Sequence, residues 1–199
     1  MIYVYLHGFN SGYDPDNPKV QALSTLGDVI GVTYDSFATY QEIFEQISYE
    51  VFTQVHDRHD MVFVGTSLGG FWAAEMGRRF GVPSVIINPC HDPYEMLRKY
   101  VGYVMTNYVT GVTNVLTNEV VETYPTYGMT GEDRTFGFLP LVLLDMGDEI
   151  IDSAETFKTL EGFPTMVWQD GSHRFDHTDQ ALPFIQQYAN RCSVVDHMD

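Results

Sequence analysis

A serine between two glycines is the residue of this chain whose setting most suggests nucleophilic chemistry. Ser67 is the centre of Gly-Thr-Ser-Leu-Gly (residues 65–69), which follows the apolar run 61–64 and precedes a helix-like stretch. A strand that turns directly into a helix strains its central residue, and small neighbours leave room for that turn. The hydroxyl would then lie at a helix N-terminus, where N–H groups and the helix dipole favour developing negative charge. This placement predicts a nucleophile.

A serine hydroxyl also needs a base to take its proton and a carboxylate to orient that base. Two later loops supply these residue types in the chain order serine, acid, histidine. Asp148 is the predicted acid, because Gly147 lets its loop turn sharply; Asp145, at the end of a predicted strand, is the rival. His173 is the predicted base, since Gly171 gives its loop freedom near the sheet edge.

Two other histidines receive structural interpretations. His177 lies just before the last predicted helix, where capping or solvation would explain it. His7 follows the first predicted strand, and we expect its side chain to brace that loop. The same loop should contribute to an oxyanion hole, which needs two N–H donors. The predicted donors are the backbone N–H groups of Phe9 and of Leu68, the residue after the nucleophile.

Apolar strands alternate with helical segments along the chain. Strands are predicted at 2–6, 29–34, 61–64, 84–87, 139–144 and 165–168, and helices at 19–26, 39–54, 71–79, 153–160 and 178–190. The alternation predicts an α/β fold with a mostly parallel six-stranded sheet and helices on both faces. Residues 1–199 are read as one domain, with 91–137 as a lid-like insertion after the fourth strand. Ligands of such sheets bind beyond the carboxyl ends of the strands, where every candidate residue falls.

Composition excludes several classes of partner. The chain has 199 residues and a net charge of −17, from 27 acidic and 10 basic residues. Such a surface repels nucleic acid and anionic bilayers, so neither is an expected partner. No basic leader and no run of apolar residues long enough to span a bilayer are present, and we expect a cytoplasmic protein. Oligomeric state is left open.

No cofactor or metal is expected. The run 56–60 (His-Asp-Arg-His-Asp) has metal-like spacing, but it precedes a strand and therefore lies at the edge opposite the predicted site. We interpret it as a solvated helix end. Cys90 and Cys192 are far apart in the sequence and do not form a disulfide framework.

Five motifs in order resemble the α/β-hydrolase superfamily, and within it the small YqiA-like bacterial esterases. They are His-Gly-Phe-Asn-Ser at 7–11, Gly-Thr-Ser-Leu-Gly-Gly at 65–70, Ile-Asn-Pro at 87–89, Gly-Asp-Glu at 147–149 and Gly-Ser-His-Arg-Phe at 171–175. The resemblance implies Ser67 as nucleophile, Asp148 as acid and His173 as base, in a cofactor-free esterase or thioesterase. The tyrosine-rich stretch from Tyr94 to Phe136 departs from the family pattern, so substrate preference does not carry over.

We therefore expect a hydrolase of small carboxylic esters that forms an acyl-enzyme on Ser67. A thioesterase or an aminopeptidase-like hydrolase would use the same residues. From another class, a non-catalytic binding module could keep the fold, with the insertion as its partner surface. We also expect the stretch 94–136 to cover Ser67 and to form an acyl or aromatic pocket.

Overall fold

The chain is built around a parallel sheet whose strands are separated by helices. The computed structural model describes residues 1–133 and 135–196. The strands are β1 (Ile2–Leu6), β2 (Asp28–Val32), β3 (Met61–Thr66), β4 (Ser84–Ile87), β5 (Val104–Thr106), β6 (Thr113–Val115), β7 (Leu141–Asp145) and β8 (Thr165–Trp168). The helices are α1 (Pro18–Ser24), α2 (Tyr40–Phe52), α3 (Leu68–Phe80), α4 (Pro93–Leu97), α5 (Asn118–Val121), α6 (Ser153–Thr159) and α7 (Thr178–Asp196).

Six of the strands form the main sheet, in the order β2-β1-β3-β4-β7-β8. All neighbouring pairs are parallel, which confirms the predicted fold class. Leu6 lies opposite Gly65, and Thr66 lies opposite Ile87. Because β1, β3 and β4 end at nearly the same level, the loops that follow them begin side by side.

The two helices around the central strand have clear start and stop signals. The side chain of Thr39 accepts a hydrogen bond from Glu42 N–H, and the Glu42 carboxylate accepts one from Thr39 N–H, so a capping box begins α2. Helix α3 ends at Gly81, whose φ of 66° is left-handed and costs glycine little. These ends agree with the sequence prediction.

Alternate residues of each strand enter two hydrophobic layers. Val4, Leu6 and Phe63 pack on one face of the sheet with α2 and α3, whereas Tyr5 and Val64 pack on the other face with α1 and α7. The alternation follows from the pleat of a strand. Helices on both faces explain why the strands are apolar throughout.

The insertion contains α4, the antiparallel hairpin β5–β6 and α5. It does not form a core of its own. Leu97, Leu116, Val121 and Tyr124 are buried in the same cluster as the residues under α2 and α3. Residues 91–137 are thus an extension of one hydrophobic layer, with the hairpin projecting from it.

Several predicted boundaries differ from the observed ones, among them those of β2, α1 and α3. Two of the differences have clear local reasons. Strand β7 begins at Leu141 rather than at 139, because Pro140 has no N–H to give to the ladder. Helix α7 continues to Asp196 rather than ending at 190, and its added turn buries Cys192. Within the described residues, no helix has the length and hydrophobicity that crossing a bilayer requires.

Candidate active site

Ser67 lies at a sharp turn between β3 and α3. Its φ of 58° and ψ of −123° are unfavourable for a residue with a side chain, as in a nucleophile elbow. A Cβ on Gly65 would overlap the backbone of Gly69, and a Cβ on Gly69 would overlap the carbonyl oxygen of Leu6. Both glycines are therefore required by close backbone approach. In the described part of the chain, no hydrogen bond holds the Ser67 hydroxyl, so the oxygen is left available.

Asp148 and His173 form a hydrogen-bonded pair on the loops after β7 and β8. His173 Nδ1 lies 2.8 Å from Asp148 Oδ2, and the Asp148 side chain is fully buried. The other oxygen of Asp148 accepts hydrogen bonds from the N–H groups of Ile150 and Ile151 at 2.8 and 2.9 Å. Hydrogen bonds to both oxygens hold the Asp148 carboxylate in place, and the carboxylate orients the His173 imidazole. Among the described residues, no hydrogen bond uses His173 Nε2.

A second pair, Asp145 with His177, lies beside the first. His177 Nδ1 is 2.7 Å from Asp145 Oδ1, and His177 Nε2 is 3.1 Å from Asp170 Oδ1. The interpretation of His177 as a capping or solvated residue is therefore wrong. Both nitrogens of His177 face carboxylates, whereas Nε2 of His173 has no hydrogen-bond partner among the described residues. The geometry thus gives Asp145 and Asp148 different partners, and only the pair with Asp148 leaves a ring nitrogen for proton transfer.

Asp145 holds the loop on which His173 stands. It is fully buried, and its Oδ2 accepts hydrogen bonds from the N–H groups of Ser172 (3.4 Å) and Asp176 (2.7 Å). Gly171 has a φ of 87°, and a Cβ there would overlap the Asp145 carboxylate. This glycine is therefore needed for close approach as well as for the left-handed turn.

Asn88 connects these loops. From the sequence, it was noted only as part of the Ile-Asn-Pro motif. Its Oδ1 accepts a hydrogen bond from Asp145 N–H (2.9 Å), and its Nδ2 donates to the carbonyl oxygens of Ser172 (2.9 Å) and His173 (3.4 Å). Two residues on, Cys90 N–H donates to the carbonyl oxygen of Ser67 at 2.9 Å. Asn88 is 1% exposed and has a positive φ of 40°. The sequence shows only that an amide follows a predicted strand at the edge where ligands bind.

The loop after β1 passes beside the serine. A Cβ on Gly8 would lie 3.3 Å from Ser67 Cβ and 3.8 Å from Ser67 Oγ. Phe9 N–H, one residue further, donates to no acceptor among the described residues, and Leu68 has no helical partner for its N–H as the first residue of α3. The two predicted oxyanion donors therefore come from segments that flank Ser67.

His7 braces this loop, as predicted. Its ring stacks on Tyr34 with centroids 4.1 Å apart; Nδ1 donates to Gly8 O (2.7 Å), and Nε2 accepts from Tyr34 N–H (3.2 Å). Burial lowers the pKa of His7 to about 4, so the ring is neutral near pH 7. A neutral imidazole with both nitrogens engaged is a structural support and leaves proton transfer to another residue.

The hairpin of the insertion is tied to the same loop. Ser11 Oγ lies 2.7 Å from the hydroxyl of Tyr108, and Asn107 Nδ2 donates to Ser11 O at 2.7 Å. Asn10 Nδ2 donates to Thr106 O at 3.3 Å. Three hydrogen bonds thus connect the tip of the hairpin with the segment that follows Phe9.

Aromatic rings from three parts of the chain meet at Phe9. Its ring centroid is 5.0 Å from that of Phe37 and 5.7 Å from that of Tyr100, which belongs to the insertion. A separate cavity of about 630 Å³ lies between α3 and residues 123–136, and Ser67 does not line it. The predicted aromatic pocket over Ser67 thus has one insertion ring near the site, and it stays a prediction.

The other sequence candidates add no described side chain to this arrangement. His59 lies outside the side chains that the structure describes, and among the described residues no group of three or more acidic, histidine or cysteine side chains could hold a metal. Burial raises the pKa of the Cys90 thiol, which keeps it protonated.

Comparison with known proteins places the chain in a family. Residues 2–190 match the model of an uncharacterised protein family, UPF0227. A UPF0227 protein of Vibrio atlanticus is 27% identical over 196 residues, covering 95% of this chain and 99% of the relative. Est1E from Butyrivibrio proteoclasticus is 13% identical with a TM-score of 0.69, over 96% of this chain and 87% of that one. The esterase domain of a Rhodothermus marinus protein is 17% identical with a TM-score of 0.68, over 96% and 86%. At these identities the two structures show a shared α/β-hydrolase fold.

Proposed function

Starting from a chain that belongs to the UPF0227 family and has the α/β-hydrolase fold, we propose that it is a serine hydrolase of small carboxylic esters. The observation that carries this proposal is the hydrogen bond of His173 to the buried Asp148 carboxylate, which leaves Nε2 without a described partner, on loops of the strand edge from which Ser67 emerges. Folding alone does not need a carboxylate, an imidazole and an unbonded hydroxyl at one edge. The esterases among the structural neighbours add support at the level of the fold.

In the proposed reaction, His173 Nε2 takes the proton of Ser67 as Oγ attacks the ester carbonyl carbon. The N–H groups of Phe9 and Leu68 stabilise the oxyanion of the tetrahedral intermediate. His173 then gives its proton to the leaving alcohol, and the C–O bond of the ester breaks to leave an acyl-enzyme. Water, deprotonated by the same nitrogen, then attacks the acyl carbon. The bond from that carbon to Ser67 Oγ breaks, Oγ takes the proton back from His173, and the acid is released. Asp148 holds the tautomer with Nδ1–H and stabilises the transient imidazolium.

The decisive experiment compares Ser67→Ala with the folded wild-type chain on a panel of p-nitrophenyl esters of increasing acyl length. Loss of the nucleophile should lower kcat by roughly 10⁴-fold or more. Ser24→Ala is the matched control, because Ser24 is an exposed serine of α1 whose hydroxyl bonds only its own helix. Equal activity of wild type and Ser67→Ala would contradict the assignment.

A fluorophosphonate probe separates an enzyme from a binding module. Labelling of the wild-type chain at the peptide that contains Ser67, and none in Ser67→Ala, is the expected result. Absence of labelling in folded wild-type protein would favour the binding module. Rates on matched acyl esters, acyl thioesters and aminoacyl amides then rank the three hydrolase classes.

A further inference from the structure

The hairpin β5–β6 differs from the rest of the surface in charge. Residues 100–118 contain no Asp, Glu, Lys, Arg or His, in a chain of net charge −17. The hairpin also exposes large apolar side chains: Val104 is 72% exposed and Val115 is 45% exposed. Two-stranded hairpins are marginally stable by themselves, and exposed apolar patches commonly mark interaction sites.

Register determines which side of the hairpin is free. Val104 lies opposite Val115 and Thr106 opposite Thr113, and all four are exposed, so one face of this small sheet is uncovered. Asn107 N–H donates to Val112 O, which makes that pair a hydrogen-bonded one. By the alternation of antiparallel ladders, the N–H and C=O groups of Thr113 and Val115 then point away from β5.

The two edges of the hairpin differ. On the β5 side, Thr106 O accepts the hydrogen bond from Asn10. On the β6 side, no hydrogen bond of the described residues outside the hairpin uses a backbone group of Thr113 or Val115. Natural edge strands are usually protected by charged residues or proline. Neither Thr113, Asn114 nor Val115 provides such protection.

We propose that β6 pairs with β6 of a second copy of this chain, antiparallel about a twofold axis at Asn114. In this register Thr113 lies opposite Val115 of the copy. The twofold axis generates two such pairs, and in each pair the outward N–H and C=O groups of both residues form two hydrogen bonds, four in all. The product is a four-stranded sheet made from two hairpins. Pairing of this kind is a common way for an open edge to be used in recognition.

Charge favours a copy of the chain over other occupants. A basic partner would be attracted to carboxylates, which this surface lacks, and an anionic bilayer would be repelled by the net charge. Two copies of this acidic chain repel each other on balance, and the repulsion is weakest where charge is absent. The uncharged hairpin is the surface by which two such chains can approach closely.

The first test measures association of the full chain by sedimentation velocity. At roughly 100 μM protein we expect a species of twice the 22.6 kDa chain mass. The dimer should strengthen from roughly 50 to 500 mM salt, because salt screens the repulsion between the acidic bodies. A dimer held together by opposite charges would instead weaken as the salt concentration rises. A monomer under all these conditions would overturn the proposal.

Two substitutions separate edge pairing from packing of the exposed face. Thr113→Pro removes an N–H that the hairpin does not use internally and should weaken the dimer about tenfold or more. Val104→Lys changes the same face on the other strand and should leave edge pairing within about threefold. A dimer that is weakened by Val104→Lys but not by Thr113→Pro would overturn the edge geometry. Hairpin-dependent binding of monomers to phosphatidylcholine vesicles, without a dimer, would assign the surface to lipid instead.

A cysteine scan tests the register directly. In the proposed dimer Asn114 faces itself in a non-hydrogen-bonded pair, with a Cα separation of about 4.5 Å that suits a disulfide. Asn114→Cys should therefore cross-link under mild oxidation. Thr113→Cys, one residue away, should not, since it faces Val115 of the copy. Both native cysteines are buried and give a low background. Equal cross-linking of the two variants, or none, would refute the twofold axis.

Discussion

Replacing Asn88 by alanine tests whether one buried amide positions the proposed base. The side chain accepts a hydrogen bond from Asp145 N–H and donates to Ser172 O, both at 2.9 Å. Asn88 is 1% exposed and Asp145 is fully buried, so Asp145 N–H does not regain bulk water when the amide is removed. We expect the loop that carries His173 to shift and the fold to lose stability.

The size of the effect follows from three contributions. Leaving the buried Asp145 N–H unpaired costs about 1–3 kcal/mol, whereas Ser172 O keeps its hydrogen bond from Phe175 N–H. Alanine at a φ of 40° adds about 1 kcal/mol, because its Cβ disfavours the left-handed region. Water that enters the vacated space would recover part of the first contribution, so we expect a loss near the lower end of the sum, about 2 kcal/mol. Displacement of His173 by the order of 1 Å should lower kcat about 100-fold.

Urea unfolding and ester hydrolysis measure the two effects separately. Asn88→Gly relieves the backbone strain while it removes the same amide, so it should be about 1 kcal/mol more stable than Asn88→Ala. Asn88→Asp keeps the shape and the acceptor but places oxygen against two carbonyl groups, and it should lose kcat with little change in KM. If Asn88→Ala stays within about 0.5 kcal/mol of wild type and retains kcat, the positioning role is refuted.

Three further predictions concern the same edge of the sheet. Burial lowers the pKa of His7 to about 4, below the ordinary value of about 6.5, so the unfolded chain binds the proton first as pH falls. Stability should therefore decline by up to roughly 3 kcal/mol between about pH 6.5 and 4, and His7→Phe should flatten that decline in urea titrations at several pH values. Asp148→Asn should keep the fold by circular dichroism but lower kcat by roughly 10⁴-fold, because the amide can stabilise the wrong tautomer of His173; activity near wild type would remove Asp148 from its role. Tyr108→Phe removes one tie between the hairpin and the loop of Phe9, and it should lower kcat about threefold to tenfold at unchanged KM; a change confined to KM would place Tyr108 in substrate binding instead.

The fold was predictable because its signals are local. Strands β1, β4 and β8 have the predicted bounds, since apolar runs of β-branched residues end at glycine, proline or polar residues. The insertion was less predictable, because its buried residues belong to the hydrophobic layer of α2 and α3 and not to a core of their own. Leu116 and Val121 are far in sequence from the layer that buries them. The spacing of apolar residues within 91–137 does not indicate contacts with such distant parts of the chain.

At the site, sequence order identified residue types but left their pairing open. Asp145 is the last residue of β7 and Asp148 comes three residues later, and this spacing does not give the direction of either side chain. The structure pairs Asp148 with His173 and Asp145 with His177. Asn88 was overlooked because its role depends on three chain segments that meet at one buried amide. The spacing of residues along one segment does not indicate such a meeting.

The neighbouring Asp145–His177 pair gives the molecule an internal reference for spectroscopy. Each pair holds an imidazole Nδ1 at hydrogen-bond distance from a buried carboxylate, 2.8 Å in one and 2.7 Å in the other. Proton NMR should thus contain two downfield imidazole resonances, and neither can be assigned to the proposed catalytic pair by its position alone. Modification of Ser67 should move one resonance and leave the other as an unchanged standard in the same spectrum.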